Sequence, residues 1–190
     1  YAGLNFEDSI SVSLNGNFTT YYTPDAPNSN FGDGLLVRIS PAGNIVSAKH
    51  LSGNNSQYIS LVKCQNLTVT IAGSFLDTLH YIPTSEILVF SGQGNGLFIM
   101  QFDNDTLQWK NQLSSSSIVQ GTDIAYSPDG SVYVSGIFVD SLIADYNDVQ
   151  FVKFSESAPS IFSVHYSSGE IGVLEQLYAL VNPNFTLGPK

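Results

Sequence analysis

Hydrophobic and polar positions alternate with a period of two along much of this chain. Clear examples are Ile10-x-Val12-x-Leu14 and Val132-x-Val134. Side chains two residues apart lie on the same face of a β-strand, so this alternation indicates strands with one buried face. No stretch keeps the 3.6-residue period of a helix for three turns. The pattern therefore predicts an all-β fold of about a dozen short strands joined by polar turns.

Composition supports this prediction and excludes some partners. The 190 residues include 10 Tyr and 12 Phe, and 43% are hydrophobic, which is enough apolar surface to form a folded core. The formal net charge of −10 disfavours binding to nucleic acid or to an anionic membrane surface. No apolar run approaches the roughly 18 residues that a spanning helix needs, so we expect no membrane insertion.

A Gly-x-Phe triplet follows an alternating strand three times. The triplets begin at Gly16, Gly73 and Gly136, which are 57 and 63 residues apart. Aliphatic residues precede each glycine by two and four positions. This spacing predicts a single repeat array over 1–190, with repeats at about 1–57, 58–120 and 121–183, followed by residues 184–190.

A second pattern recurs at intervals of 17 residues. A small residue opens each interval, a leucine closes it, and a turn-forming Gly or Asp lies nine positions after the start. The pairs are Gly34 and Leu51, Gly96 and Leu113, and Ser160 and Leu177. Gly and Asp tolerate the positive φ of tight turns, so each interval predicts a β-hairpin. Each repeat would then contain two hairpins, or four strands, separated by a loop of variable length.

The segment 127–138, SPDGSVYVSGIF, resembles the "pdGnvyvtGsf" stretch of secreted β-propeller repeats of the seven-bladed type. Residues 96–102, followed by Leu107-Gln108-Trp109-Lys110, are similar to the second half of the same repeat. The resemblance extends over nearly the whole chain in three copies. It implies three four-stranded antiparallel blade-like repeats, either open or completed by another chain.

The repeat frame makes the chain ends a candidate assembly site. Aligning Gly16 with Gly73 places the start of the chain at the first strand of a repeat, and it predicts that residues 184–190 open a fourth repeat. Three blades and one strand cannot close a ring, because propellers need roughly four to eight blades. The chain would be a fragment of a longer repeat protein, or pair with copies of itself, or stack end to end by strand addition. The predicted assembly residues are Phe185, Leu187, Leu4 and Phe6.

Five Asn-x-Ser/Thr sequons suggest an extracellular or cell-surface glycoprotein. They begin at Asn17, Asn54, Asn66, Asn104 and Asn184. Chance alone predicts about three in a chain with this content of Asn, Ser and Thr. The alternative is that the sequons are accidental in Asn-rich loops.

The sequence contains no recognisable catalytic constellation. The three histidines, His50, His80 and His165, are not spaced to chelate a metal on one element. Cys64 is the single cysteine, and no Gly-x-Ser-x-Gly elbow occurs. We therefore predict no enzyme activity and no cofactor.

A run of oxygen ligands offers one weak exception to the prediction of no cofactor. Asp145, Asn147 and Asp148 lie in a predicted mid-repeat loop and resemble part of a calcium loop. The remaining ligand spacing of such a loop is missing.

Two functional hypotheses follow from these features. The first is an extracellular, non-enzymatic structural or adhesive repeat protein that self-assembles into a ring or filament through its terminal strands. The alternative is a carbohydrate- or protein-binding propeller module from a larger surface protein.

Overall fold

A computed structural model describes residues 1–23, 32–53, 55–82, 86–89, 95–146, 149–155 and 159–177. Within these ranges the chain consists of β-strands, turns and short connections, with no helix. The strands form three sheets whose neighbours are almost all antiparallel, and none of the sheets closes on itself as described. The all-β prediction is confirmed.

The described residues contain seventeen strands. The first six are β1 (Ala2–Glu7), β2 (Ser9–Leu14), β3 (Asn17–Tyr22), β4 (Gly32–Ile39), β5 (Ile45–Ser52) and β6 (Gln57–Gln65). The next six are β7 (Thr68–Phe75), β8 (Thr78–Ile82), β9 (Glu86–Val89), β10 (Gly96–Asp103), β11 (Thr106–Ser114) and β12 (Ile118–Tyr126). The last five are β13 (Val132–Val139), β14 (Ser141–Tyr146), β15 (Val149–Phe154), β16 (Ser160–Ser167) and β17 (Glu170–Leu177).

Four-stranded antiparallel meanders form the centres of the second and third sheets. Their strand orders are β6-β7-β10-β11 and β12-β13-β16-β17. The first sheet contains only three strands of such a meander, β1-β4-β5. The predicted 17-residue hairpins are present as β4–β5, β10–β11 and β16–β17.

An additional hairpin is inserted in the middle of each repeat. The hairpins β8–β9 and β14–β15 occupy segments that the sequence predicted as loops of variable length. Neither one joins the meander that it interrupts. Instead, β8 pairs with β5 and β14 pairs with β11, so that each hairpin extends the preceding sheet. Each of these hairpins therefore links its own repeat to the preceding sheet.

The frame of the first repeat differs from the one predicted by sequence. An aspartate with positive φ ends the strand before each inserted hairpin: Asp8, Asp77 and Asp140. A phenylalanine lies two residues earlier each time: Phe6, Phe75 and Phe138. Strand β1 therefore corresponds to the second strands β7 and β13. The prediction that the chain opens on the first strand of a repeat is wrong.

The predicted frame of the first repeat depends on the triplet at Gly16, which is not equivalent in structure to the other two triplets. Gly16 has a φ of 86° and lies in the turn between β2 and β3, directly after Asn15. Asn-Gly is the preferred pair for a two-residue hairpin turn, because both residues take positive φ there. The glycine of the Gly-x-Phe triplet is thus a turn residue at Gly16 but a strand residue at Gly73 and Gly136.

The two strand glycines make room for aromatic rings. Gly73 pairs with Phe98, and Gly136 pairs with Phe162, in equivalent registers. A Cβ at Gly136 would lie 2.5 Å from the Phe162 ring and 2.1 Å from the backbone oxygen of Gln120. The phenylalanine side chains cover the glycines and are themselves fully buried.

We expect Gly136→Ala to destabilise the protein by about 1–3 kcal/mol, since the added methyl must displace backbone as well as a ring. Urea unfolding followed by circular dichroism measures the change. Gly121→Ala is the matched control, because the nearest atom to its Cβ is the mobile end of Leu61 at 3.1 Å. Equal losses of stability in the two variants would contradict this account of the glycine.

Apolar side chains form three clusters stacked in the order of the repeats. One cluster lies between the first and second sheets and includes Leu36, Leu79 and Phe98. Another lies between the second and third sheets and includes Leu97 and Phe162. We call the side of a sheet that points to the next sheet its forward face, and the opposite side its backward face. The third cluster lies on the backward face of the first sheet.

Candidate functional site

Charged and polar contacts reinforce the interface between the first and second sheets. Asp105, in the β10–β11 turn, forms a 2.8 Å ion pair with Arg38 and accepts a hydrogen bond of 3.2 Å from the Tyr1 hydroxyl. Partial burial and the neighbouring Asp105 carboxylate raise the pKa of Tyr1 to about 12. The turn of the second sheet is thereby anchored on the forward face of the first.

In the interface between the second and third sheets the corresponding turn is again in contact with the preceding sheet, here with strand β11. The β16–β17 turn lies against the second sheet, where Asn111 donates a 2.6 Å hydrogen bond to the backbone oxygen of Gly169. The Trp109 and Tyr166 rings stack with centroids 5.2 Å apart. Complete burial raises the pKa of Tyr166 strongly. One mode of sheet stacking therefore occurs twice within the chain.

The third sheet has an exposed forward face. Tyr133, Ile161 and Val173 are 43%, 40% and 48% exposed. The Tyr133 ring stacks on His165 at 4.6 Å, and with Ser163 and Val173 these two residues line a shallow depression. Register pairs Ile161 with Leu177, as Leu97 pairs with Leu113 in the second sheet. Leu97 is buried by the third sheet, whereas its counterpart Ile161 is exposed in the part of the chain that the structure describes.

The backward face of the first sheet lies at the other end of the stack. Leu35 and Val37 are buried there beneath Val12 of the β2–β3 hairpin. Two predicted assembly residues belong to this face: Phe6 is buried and Leu4 is partly buried in the same cluster. The other two, Phe185 and Leu187, lie outside the described residues.

Unpaired strand edges mark both ends of the array. As described, β1 pairs with β4 alone, whereas β7 and β13 are flanked on the corresponding side by β6 and β12. In the described part of the chain β17 pairs with β16 alone, whereas the equivalent β5 and β11 each carry an inserted hairpin. Exposed edges present backbone N–H and C=O groups to any strand that can pair with them.

The sequons that the structure describes lie at one end of the sheets. Asn66 and Asn104 lie in adjacent hairpin turns. The backbone N–H of Asn104 donates a 3.2 Å hydrogen bond to the backbone oxygen of Leu67. Asn17 follows the β2–β3 turn, which bonds to the start of β5 through Asn15. All three asparagines are exposed. Asn54 and Asn184 lie outside the described residues.

Titratable side chains are dispersed rather than gathered into a catalytic or metal site. His50 forms a buried 2.7 Å pair with Asp33 between the rings of Phe6 and Tyr21, a contact that sequence reasoning missed. His165 is on the third sheet and His80 is in β8. Over the described ranges no group of three or more His, Cys, Asp or Glu residues could hold a metal ion.

The remaining predicted ligands and the single cysteine form no such group either. Asp145 lies in β14, whereas Asn147 and Asp148 lie outside the described residues. The candidate calcium loop therefore stays a prediction. Cys64 is exposed and unbridged. Within the described ranges no helix is long and apolar enough to cross a membrane.

The recurrent Phe-x-Asp motif is the signal that would have located the inserted hairpins. It occurs as Phe6-Glu7-Asp8, Phe75-Leu76-Asp77 and Phe138-Val139-Asp140, each time followed by Ser or Thr and then Ile or Leu. Aspartate tolerates positive φ, so a repeated Asp between two alternating segments indicates a strand boundary.

Comparison with models of protein families, with curated proteins and with solved structures finds no match to this chain. In its described residues the fold is an all-β array of stacked sheets, in which inserted hairpins pair with the preceding sheet and strands β1 and β17 have unpaired outer edges.

Proposed function

We propose that this protein is an extracellular, non-enzymatic structural or adhesive repeat protein that self-assembles end to end. One observation supports this most directly. The stacking of one sheet on the next occurs twice within the chain, and in the described residues its forward half is exposed on the third sheet while strand β1 of the first sheet has an unpaired edge. A surface that binds its own opposite end generates a ring if the rotation closes and a filament if it does not.

The two open ends are chemically compatible. The turns that anchor the second and third sheets have a counterpart in the first sheet, the loop at residues 40–44 with sequence Ser-Pro-Ala-Gly-Asn. In a second copy, that loop would contact the depression between Tyr133 and His165. Exposed aromatic rings and a proline-containing loop bury apolar surface when they come into contact.

Electron microscopy of purified native protein tests this function. We expect rings or filaments whose repeat matches the thickness of three stacked sheets. Deleting residues 178–190, which contain Phe185 and Leu187, should shorten or abolish them if the tail strand contributes to assembly as proposed. Particles no larger than one chain, seen throughout at micromolar concentration, would contradict this function.

Glycans at the described sequons would leave both assembling faces free. Asn17, Asn66 and Asn104 lie at the hairpin-turn end of the sheets rather than on their forward or backward faces. The resemblance to secreted propeller repeats and the mild excess of sequons support a secretory route.

We expect Asn66 and Asn104 to carry N-glycans when the chain is secreted from a eukaryotic cell. Peptide mapping by mass spectrometry, before and after enzymatic deglycosylation, measures their occupancy. Asn66→Asp and Asn104→Asp are suitable variants, because aspartate tolerates the φ of 58° and 43° at these positions. Each variant should lose the mass of one glycan and keep its unfolding midpoint. Unmodified asparagine at both sites would contradict the proposed compartment.

A binding module is the second candidate function. The stacked Tyr133 and His165 rings beside Ser163 form a polar and aromatic depression of the kind that can receive a sugar ring or a peptide side chain. This function predicts a single soluble copy that binds one class of glycan on an array. Loss of that binding in Tyr133→Ala, without any change in mass, would favour it over assembly.

A further inference from the structure

Among the described residues, the first inserted hairpin has no antiparallel partner strand of the kind that the other two have. Hairpin β2–β3 follows Asp8 just as β14–β15 follows Asp140, and each has six paired positions. The same closing bond occurs in both, from Thr23 N to Asp8 O at 2.9 Å and from Ser155 N to Asp140 O at 2.8 Å. The two hairpins are therefore structurally equivalent.

Their edges are occupied differently. Strand β14 pairs with the last meander strand of the preceding sheet, through Leu113 with Ala144 and Ser114 with Ile143. Strand β8 makes the equivalent pairs with β5, including Leu51 with Tyr81. Strand β2 touches β5 only through a single parallel bridge at its end, from Leu14 to Ile45. In the described residues the rest of its outer edge, from Ser9 to Ser13, carries no pairing.

The complementary vacancy is the outer edge of β17. Leu177 is the counterpart of Leu51 and Leu113, the residues that receive the hairpins in the first and second sheets. Val12 is the counterpart of Tyr81 and Ala144, because each lies four positions after the aspartate that precedes its hairpin. The two internal examples share one register, so the register of the third is determined.

We infer that the β2–β3 hairpin of one copy adds to the outer edge of β17 in a second copy, with Val12 opposite Leu177 and Ser13 opposite Gln176. This inference rests on the proposed self-assembly and specifies its contact. The occupant is a second copy of this chain, because the joint it would form reproduces two joints already present inside the chain.

The inward faces are consistent with this pairing. In β14, Leu142 and Ala144 are fully buried, and in β8 Leu79 and Tyr81 are almost fully buried. The equivalent positions in β2 are Ile10 and Val12, which point into the backward-face cluster of the first sheet. The hairpin is therefore already seated on its own repeat in the orientation that the other two hairpins adopt.

Cysteine cross-linking of the full chain tests the register. Ser13→Cys and Gln176→Cys are combined in a Cys64→Ser background, which removes the exposed native thiol. Partners in adjacent antiparallel strands have Cα atoms about 5 Å apart, which is within reach of a disulfide. The matched control combines Gln176→Cys with Thr20→Cys on β3, which lies one strand further away and two residues along, at more than about 10 Å, and a disulfide cannot span that distance.

We expect mild oxidation to give a reducible ladder of dimers and higher species for the Ser13 pair and only a trace for the Thr20 pair. Assembled material that forms no ladder with the Ser13 pair would overturn this inference and leave the proposed function standing. An oxidised species of monomer mass with no free thiol would also overturn it, since the hairpin would then meet β17 of its own chain. Absence of any assembled material would overturn the proposed function itself. Circular dichroism verifies that both double variants fold.

Discussion

Ile161→Lys is expected to convert assembled protein into single folded chains. Ile161 is 40% exposed on the forward face of the third sheet, at the position that Leu97 occupies in the buried interface of the second. An ammonium group introduced there would lose its hydration at each joint between copies. This desolvation costs several kcal/mol, so we expect the dissociation constant to rise by roughly 100-fold or more.

Leu67→Lys is the matched control for this variant. Leu67 is 54% exposed, and it lies in the β6–β7 turn, away from both assembling faces. Both substitutions change the net charge from −10 by the same amount. Sedimentation velocity over a range of concentrations should therefore show loss of large species for Ile161→Lys alone. Equal effects of the two variants would indicate a charge effect rather than a specific joint.

Phe162→Ala is expected to cost about 3–5 kcal/mol of folding stability, which is a large part of the total for a small domain. The Phe162 side chain is fully buried between the second and third sheets and covers Gly136 in the neighbouring strand. Its removal leaves a cavity bounded by both sheets. Chemical unfolding monitored by circular dichroism measures the loss.

The exposed phenylalanine Phe18 provides the comparison. Its side chain is 81% exposed beside the β2–β3 turn, so Phe18→Ala should change stability by no more than about 0.5 kcal/mol. A small effect of Phe162→Ala would mean that the second and third sheets do not pack as described. Their stacking would then no longer serve as the template for the joint between copies.

Much of the fold could be predicted from sequence, because period-two alternation depends only on which side of a strand is buried. The three 17-residue hairpins are present, and the turn residues lie where positive φ is needed. Pairing across several sheets is not contained in this local pattern. The inserted hairpins therefore looked like loops, since their partner strands belong to the preceding repeat.

The first hairpin also shows why equal spacing can mislead. Gly34 pairs with Leu51, whereas Gly96 pairs with Ser114, and Leu97 is the residue opposite Leu113. Between the equivalent pairs Ile39–Ile45 and Phe102–Leu107 the first hairpin has five residues and the second has four, so equal spacing in the sequence aligns β4 with β10 one position out of step. A shift of one residue exchanges the two faces of a strand. Leu36 faces the second sheet, and its structural counterpart in the next repeat is Ile99, which faces the third sheet. Equal spacing in the sequence would instead have matched Leu36 with Phe98.

The candidate site was only partly accessible from sequence for a related reason. Counting repeats predicted that the array has unfilled ends, and it included Leu4 and Phe6 among the assembly residues. It did not predict the exposed face around Tyr133 and Ile161, because burial of a strand face depends on whether a neighbouring sheet exists. The buried pair of Asp33 and His50 likewise joins residues on two strands that no motif connects.

The mass of the native chain in solution tests the central claim most directly. Sedimentation equilibrium at several concentrations should give an average mass well above the 20.5 kDa of one chain. This mass should rise with concentration, to a plateau for a ring and without a plateau for a filament. A constant mass of one chain from low micromolar to high micromolar concentration would contradict end-to-end self-assembly.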